Sequence, residues 1–177
     1  MYIITTEVNY WVHMFSADIY KSWQGTQKQK FEGIRKHLGP LEKEIFHKKI
    51  ILDIGCGNGY LEKFFKGNFV GLDKSMEMLA RPEAIFPRVL GNGDALPFKD
   101  GCFDAIVAID SMHLIRKNDF VRVLKNDGLA LMSVFHNEKN YHDRKENLLS
   151  RLEGMTILDE FEITGRENEY VVIAVKR

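Results

Sequence analysis

The sequence of 177 residues contains little cysteine and no long apolar run. Its two cysteines, Cys56 and Cys102, are too few for a disulfide framework or for a zinc site built from thiolates. No apolar run approaches the roughly 20 residues that a membrane-spanning helix needs. The N-terminus also lacks the basic leader and apolar core of a signal peptide. We therefore expect a cytoplasmic protein that binds no metal and makes no membrane contact.

The chain also lacks an excess of either charge, because 25 Lys and Arg residues balance 25 Asp and Glu residues. A neutral chain has no overall positive field with which to attract nucleic acid. Nucleic acid is therefore disfavoured as a partner, although the count does not exclude a local basic patch. The length and the hydrophobic content of 45% are typical of one globular domain.

From Lys49 onward the sequence alternates short apolar runs with helical segments. The apolar runs predict strands at 50–54, 69–73, 88–91, 103–110, 129–135, 156–163 and 170–175. Helices are predicted between them at 60–66, 75–81, 113–124 and 142–152. This alternation predicts a parallel α/β sheet with helices on both faces. The short connection between the last two runs predicts a hairpin, so that the final strand runs antiparallel.

Residues 1–47 differ from this core, because they are rich in aromatic side chains. The spacing of Phe31, Ile34 and Leu38 predicts a helix, which ends at Gly39-Pro40. We interpret residues 1–177 as a single domain, in which residues 1–47 form a helical leader and residues 48–177 form the core.

The segment ILDIGCGNGY joins the first predicted strand to a glycine-rich turn that contains Gly55, Gly57 and Gly59. Glycine allows positive φ in a turn and lets a ligand approach the backbone closely. Such a turn also directs backbone N–H groups toward an anionic group at the start of a helix. The alternative is a tight strand–helix turn with no ligand.

Two acids accompany the turn. Asp53 lies just before the first glycine, where a carboxylate suits a ligand with an ammonium group, such as the methionyl part of S-adenosylmethionine. Asp73 ends the second strand, where an acid can accept hydrogen bonds from both ribose hydroxyls of a nucleoside. The alternative for Asp73 is a helix N-cap ahead of SMEMLA.

In this order, ILDIGCGNGY, GLDKS and GNGDALPFKDGCFDAIVAID resemble the motifs of class I S-adenosylmethionine-dependent methyltransferases. The third segment has the form typical of the small-molecule branch related to ubiquinone and menaquinone C-methyltransferases. LKNDGLALMSVF resembles the fifth-strand segment, with Asp127-Gly128 where other members have Pro-Gly. The resemblance covers roughly Phe46 to Phe135. It implies a Rossmann-like three-layer sandwich, whose seven-stranded sheet is mostly parallel with an antiparallel C-terminal strand, and S-adenosyl-L-methionine as cofactor.

The resemblance also implies roles for single residues. Asp94 would accept from the adenine amino group and the Ala95 N–H would donate to a ring nitrogen, although a turn-capping role is the alternative for Asp94. Lys74 and Leu96 would cover the two adenine faces, and Asp110 would lie at the methionyl end. The predicted cofactor-binding residues are thus Asp53, Gly55, Cys56, Gly57, Asp73, Lys74, Asp94, Ala95, Leu96 and Asp110.

Two residues are candidates for a catalytic role. IYKSWQGTQKQKF is similar to a segment that folds over the cofactor as a lid in many relatives, which places Tyr20 and Trp23 near the methyl group. An aromatic cluster that only packs the leader is the alternative. His113 follows the fourth strand, where relatives often have a histidine that faces the active site, and it could act as a base. A purely structural histidine is the alternative there.

We therefore expect in-line methyl transfer to a small molecule. The sequence DSMH at 110–113 replaces the Asn-Pro-Pro-Tyr type motif that grips planar amino groups, which disfavours methylation of base amino groups. One alternative is a protein or structured RNA acceptor, which a basic surface formed by Lys28, Lys30, Arg35 and Lys36 would support. Another is a partner subunit that binds the cofactor without catalysis. Neither the acceptor nor the oligomeric state follows from the sequence.

Overall fold

The computed structural model describes residues 23–47, 49–80, 82 and 85–177. These residues form one seven-stranded sheet with the strand order β3-β2-β1-β4-β5-β7-β6. The strands are β1 (Ile50–Ile54), β2 (Asn68–Asp73), β3 (Arg88–Leu90), β4 (Phe103–Ala108), β5 (Leu124–His136), β6 (Met155–Ile163) and β7 (Asn168–Lys176). The pairs among β1 to β5 are parallel, whereas β7 runs antiparallel to both β5 and β6. The predicted sheet is confirmed.

Helices cover both faces of this sheet. They are α1 (Gln24–Leu38), α2 (Leu41–Phe46), α3 (Met76–Leu79), α4 (Phe120–Val123) and α5 (Tyr141–Arg151), with one-turn 3-10 helices at Leu61–Lys63 and Met112–Leu114. Ile51 and Val107 pack against α1 and α2, while Leu52 and Ile106 pack against α4 and α5. Alternate residues of a strand face opposite sides, so the central strands are apolar throughout and the three layers are confirmed. In the described part of the chain, no helix has the length and apolar character needed to cross a bilayer.

Helix α1 lies where the leader spacing predicts a helix. Phe31, Ile34 and Leu38 are buried against the sheet, as their three- and four-residue spacing requires. The helix ends at Gly39, which has a φ of +49° that a residue with a Cβ rarely adopts. Pro40 then begins the turn into α2.

Helix α5 has its predicted length, but the other helices that connect the strands are shorter than predicted. The segment 60–66 forms only the 3-10 helix at Leu61–Lys63, and the segment 113–124 is divided between the second 3-10 helix and α4. One cause is the Asp94 carboxylate, whose Oδ1 accepts hydrogen bonds from the N–H groups of Arg116 and Lys117. Those two N–H groups therefore have partners outside a helix. Leu124 begins β5, which starts five residues before the predicted strand at 129.

The strand order creates a crevice at the carboxyl ends of β1, β2 and β4. Asp53 on β1 lies opposite Gly71 on β2 and opposite Val107 on β4. The chain leaves β1 toward β2 and returns to the other side of β1 as β4. Ligands of open α/β sheets bind at such a reversal of strand order.

Candidate active site

A pocket opens at this reversal of strand order. Its lining includes Asp53, Gly55, Cys56, Gly57, Asp73, Lys74 and Asp110, which were predicted to bind the cofactor. Apolar side chains complete the walls, namely Phe31, Ile54, Leu61, Leu72, Met78, Ile109, Leu114 and Ile115. An apolar pocket with a few converging polar groups is the usual form of a small-ligand site.

The glycine turn forms the floor of the pocket. Gly55 has a φ of +84°, and a Cβ there would lie 2.5 Å from the Ser111 Cβ. Gly57 has a φ of +55°, and a Cβ there would lie 3.0 Å from the Met78 Cε. The N–H groups of Gly55 and Cys56 donate to the Leu72 carbonyl, at 2.7 and 3.2 Å. The turn is therefore a closely packed cradle. Side chains in place of Gly55 and Gly57 would occupy the space that it leaves for a ligand.

Asp73 connects this turn to the end of β2. Its Oδ2 accepts from the Gly57 N–H at 2.8 Å, and its Oδ1 accepts from the Ser75 N–H at 2.8 Å. The N-cap of α3 is Ser75, whose hydroxyl accepts from the Met78 N–H, so the N-cap alternative for Asp73 is wrong. Each carboxylate oxygen has a second lone pair. Asp73 can therefore also accept from ribose hydroxyls in the pocket.

Asp53 lies beneath the turn as a buried acid. Burial raises the pKa of Asp53 well above its usual value, and the carboxylates of Glu62 and Asp73 raise it further. Burial likewise raises the pKa of Glu62, to about 7. Sequence reasoning missed Glu62, because nothing in its spacing distinguishes it from an exposed helical glutamate. A cationic ligand group beside this pair would favour the ionised carboxylates.

Cys56 contributes shape and no reactivity. Its side chain is 4% exposed, and its Sγ donates to the Gly57 carbonyl at 3.8 Å. Burial raises the pKa of the thiol, and the nearby carboxylates of Asp53 and Asp73 raise it further. The thiol therefore stays protonated and is a poor nucleophile.

Asp110 follows β4 and adopts a positive φ of +54°. Its N–H donates to the Ser133 Oγ at 3.0 Å, and its Oδ1 accepts from the Phe135 N–H at 3.3 Å. The His113 Nδ1 lies 3.9 Å from the same Oδ1 and has no hydrogen-bond partner among the described residues. Burial lowers the pKa of His113, and the Asp110 carboxylate opposes that shift. A neutral imidazole therefore lies just beyond the pocket wall, while Tyr20 lies outside the described residues.

The structure does not bring Asp94, Ala95 and Leu96 into the pocket lining. They line an adjacent surface cleft together with Arg116 and Lys117. The Asp94 carboxylate instead caps a neighbouring turn, where its Oδ1 accepts from the N–H groups of Arg116 and Lys117 at 2.6 and 3.0 Å. In its own turn, the Asn92 Oδ1 accepts from the Asp94 N–H at 3.0 Å. Asn92 and Gly93 line the pocket itself. The adenine contacts of these three residues remain predictions.

Helix α1 forms the remaining wall through Trp23, Gln27 and Phe31. Only Trp23 was predicted there, from the resemblance of the leader to a lid segment. Gln27 and Phe31 share a helix face with Trp23 because they follow at intervals of four residues. That spacing is the signal that could have identified them.

Of the four residues on α1 that would form a basic surface for a protein or RNA acceptor, one is buried and two are paired with acids. Lys30 is buried beside the carboxylates of Asp110 and Glu169, at 3.1 and 2.8 Å. Lys28 and Arg35 are paired on the helix surface, with the carboxylates of Glu32 and Glu42. These cations are neutralised by acids that lie far from them in sequence or one turn away. Within the described ranges, no group of three or more His, Cys, Asp or Glu side chains is placed to hold a metal ion.

Comparison with known proteins agrees with this geometry. A family model described as a methyltransferase domain matches residues 52–132, from β1 into β5. An uncharacterized protein of Methanocaldococcus jannaschii is 36% identical over 131 residues, which are 67% of this chain and 50% of that protein. A tRNA (carboxymethyluridine(34)-5-O)-methyltransferase of Xenopus tropicalis is 27% identical over 149 residues, which are 78% of this chain and 23% of that protein. The chain thus spans half or less of the length of these two relatives.

A solved structure shares the fold. Geranyl diphosphate C-methyltransferase of Streptomyces coelicolor, in complex with S-adenosyl-L-homocysteine, superimposes with a TM-score of 0.63 at 14% identity. The superposition covers 85% of this chain and 79% of that one. The segment 52–132, which contains the glycine cradle and Asp73, is thus similar to a methyltransferase domain. The comparisons support S-adenosylmethionine as its cofactor.

Proposed function

We propose that the protein transfers the methyl group of S-adenosylmethionine to a small-molecule acceptor, as in the branch related to ubiquinone and menaquinone C-methyltransferases. The observation that supports this most strongly is the Asp73 carboxylate, which holds the Gly57 N–H at 2.8 Å in a pocket lined by Asp53 and Asp110. Asp73 would bind the ribose hydroxyls. Asp53 and Asp110 would face the cationic methionyl end, where their negative charge is complementary.

When bound, the cofactor supplies a methyl group that is already activated by its sulfonium leaving group. The chain then has to align the acceptor with that group and exclude water. Alignment of this kind can contribute roughly 7–11 kcal/mol of rate enhancement. The rigid glycine turn and the α1 wall formed by Trp23, Gln27 and Phe31 would supply it. We propose that residues 1–177 form one domain, with residues 1–47 as a helical leader or lid and residues 48–177 as the cofactor-binding core.

His113 is our candidate for the base that removes a proton from the acceptor. Its Nδ1 faces the Asp110 carboxylate, which leaves Nε2 as the nitrogen that can accept a proton. The lowered pKa keeps the imidazole neutral near pH 7. A neutral imidazole can act as a general base near pH 7. Tyr20 remains a second candidate.

The enclosed apolar wall supports a small acceptor over a macromolecule. The pairing of Lys28, Lys30 and Arg35 with acids also removes the basic surface that an RNA acceptor would favour. The relative that methylates tRNA is the observation that favours the RNA alternative. The third alternative is a partner subunit that binds the cofactor without catalysing methyl transfer.

A labelling experiment tests the proposal. The purified protein is incubated with methyl-labelled S-adenosylmethionine and a cell extract, and the extract is separated into metabolite, RNA and protein fractions before mass spectrometry. We expect label in a metabolite, and less label with the Asp73→Ala variant at a limiting cofactor concentration. Label in RNA or protein instead would refute the small-molecule proposal. Cofactor binding without transfer to any fraction would favour the non-catalytic subunit.

A further inference from the structure

Lys30 on α1 is a buried ammonium group beside the pocket. Its Nζ lies 2.8 Å from Glu169 Oε2, 3.1 Å from Asp110 Oδ2 and 3.7 Å from Glu167 Oε2. The Lys30 residue is 2% exposed and Glu169 is fully buried. Burial alone would lower the pKa of Lys30, but the carboxylates of Glu169 and Asp110 raise it above its usual value. Lys30 is therefore charged. Burial raises the pKa of Glu169 to about 8, so removal of Lys30 leaves a buried carboxyl group that must either take up a proton or remain an unpaired charge.

Asp110 needs contacts of this kind to hold its conformation. A non-glycine residue at a φ of +54° occupies a sparsely populated region and persists only where its surroundings fix it. Ser133 and Phe135 on β5 fix its N–H and its Oδ1. Lys30 fixes Oδ2, and it is the contact that comes from α1.

Lys30 also shares its helix with the pocket wall. Gln27 precedes it by three residues, and Phe31 follows it directly; both line the pocket with Asp110. The Lys30–Asp110 ion pair thus connects two parts of the pocket lining, the α1 wall and the end of β4. Few of the other contacts between α1 and the sheet are polar, because the helix packs mainly through Phe31, Ile34 and Leu38.

We propose that Lys30 is a positioning residue of the cofactor site. Its ammonium group holds the Asp110 carboxylate and thereby helps to hold the Asp110 backbone in its left-handed conformation. The same ion pair fixes the α1 wall relative to Asp110. Cofactor affinity therefore depends on Lys30, although its side chain does not line the pocket. This inference rests on the proposed cofactor site. If Lys30 had only a structural role, the loss of cofactor affinity in each variant would parallel its loss of thermal stability.

Four variants separate these two roles. Lys30→Met removes the cation. Glu169→Gln removes the Glu169 charge but keeps a side-chain oxygen that can accept from the Ser133 hydroxyl, the group that binds the Asp110 N–H, and it also keeps the Lys30–Asp110 ion pair. The double variant Lys30→Met/Glu169→Gln removes the cation together with one of the carboxylates that it compensated. Lys28→Met is the matched control, because Lys28 is an exposed lysine on the same helix. Each variant is measured by thermal unfolding and by calorimetric titration with S-adenosylhomocysteine.

We expect Lys30→Met to lower both the melting temperature and the affinity, the latter by about tenfold or more, as for a lost hydrogen bond to a charged group. Glu169→Gln should shift the melting temperature and leave the affinity nearly unchanged. The double variant should regain part of the melting temperature while its affinity stays low. Lys28→Met should change neither quantity.

Two results would overturn the inference. One is wild-type affinity in Lys30→Met, and the other is affinity that recovers together with stability in the double variant. If Lys30→Met does not fold, the cofactor affinity of the double variant is compared with that of the wild type instead. If the wild-type protein does not bind S-adenosylhomocysteine, the proposed function itself is refuted. If the wild type binds it and only the variants behave differently from our expectation, the Lys30 inference alone is refuted.

Discussion

The carboxylate of Asp73 accepts a hydrogen bond from the backbone N–H of Gly57 at 2.8 Å, across the crevice between β1 and β2. This bond brings the second-strand acid and the glycine turn, 16 residues apart, into one binding surface. The sequence motif predicts a role for each of them. The bond explains why the two roles depend on each other, since a change at either residue also alters the position of its partner.

Asp73→Ala should weaken cofactor binding. It removes the acceptor for ribose and the anchor of the Gly57 N–H, and a lost hydrogen bond to a charged group typically costs about 1.5–3 kcal/mol. Calorimetric titration with S-adenosylhomocysteine measures this loss. Glu153→Ala, at an exposed acid remote from the pocket, is the control. Unchanged affinity in a folded Asp73→Ala protein would remove Asp73 from the site.

Gly57→Val should abolish the thermal stabilisation that the cofactor gives. A valine at a φ of +55° is strained, so the variant should also lose some intrinsic stability, roughly 1–3 kcal/mol. Gly101→Val is a matched control, because Gly101 has a φ of +57° and a Cβ there would meet no atom within 4 Å. Both variants should lose similar stability, and only Gly57→Val should lose the cofactor-induced shift. An intact shift in Gly57→Val would show that the turn does not cradle the cofactor.

His113 should titrate below the ordinary histidine value of 6.5. Burial lowers its pKa, and Asp110 only partly offsets that shift. The ring proton resonances of His113, followed by NMR against pH, measure this pKa directly. If His113 is the base, His113→Gln should lower kcat by about 10²–10⁴-fold once the acceptor is known. Full activity in that variant would leave His113 with a structural role.

Glu62 should make the protein less stable as the pH rises. Its pKa is raised from 4.5 to about 7 in the folded state. The stabilising effect of the bound proton is therefore complete below pH 4.5 and is lost as the pH rises through 7. Within that window the free energy of unfolding should fall by up to about 1.4 kcal/mol per pH unit.

Denaturant unfolding of wild-type and Glu62→Gln proteins between pH 4.5 and 8 measures this dependence. The glutamine variant should show a smaller fall, because its own side chain does not titrate, whereas Asp53 and Glu169, whose pKa values burial also raises, still do. Glu44→Gln, at an exposed position on α2, should behave as the wild type. The same pH slope in Glu62→Gln and in the wild type would contradict the prediction.

Trp23→Ala should weaken cofactor binding with little loss of stability. Trp23 lines the pocket and is 40% exposed, so the side chain contributes little to the core. Leu41→Ala is the control, because Leu41 is 39% exposed and does not line the pocket. Thermal unfolding with and without cofactor separates the two effects. A large loss of stability with unchanged affinity would favour the packing alternative for the aromatic leader.

The sequence alone predicts the sheet and most of the turn chemistry. Five nearly continuous apolar runs can be satisfied only by strands covered on both faces, because helices then bury both sets of alternate side chains. Ile51 and Leu52 illustrate this, since they pack on opposite faces. The glycine turn is likewise a local property, since positive φ at Gly55 and Gly57 depends on the residues themselves.

Helix lengths could not be read from the sequence. The segment from His113 to Leu124 has helical spacing, yet Asp94 provides acceptors for the N–H groups of Arg116 and Lys117 from 22 and 23 residues away. Local propensity contributes a few tenths of a kcal/mol per residue. Hydrogen bonds to a carboxylate outweigh it, and only the tertiary structure places that carboxylate.

The charged residues around the pocket also differ in what the sequence predicts and in what only the tertiary structure decides. The sequence identifies Asp53 and Asp110 as acids at strand ends, but it leaves open whether Lys30 belongs to a basic surface. The fold brings Glu169, from the far end of the chain, within 2.8 Å of Lys30 and fully desolvates both groups. A charge pattern specifies the charges of a chain, whereas their pairing and solvation depend on distances that exist only after folding.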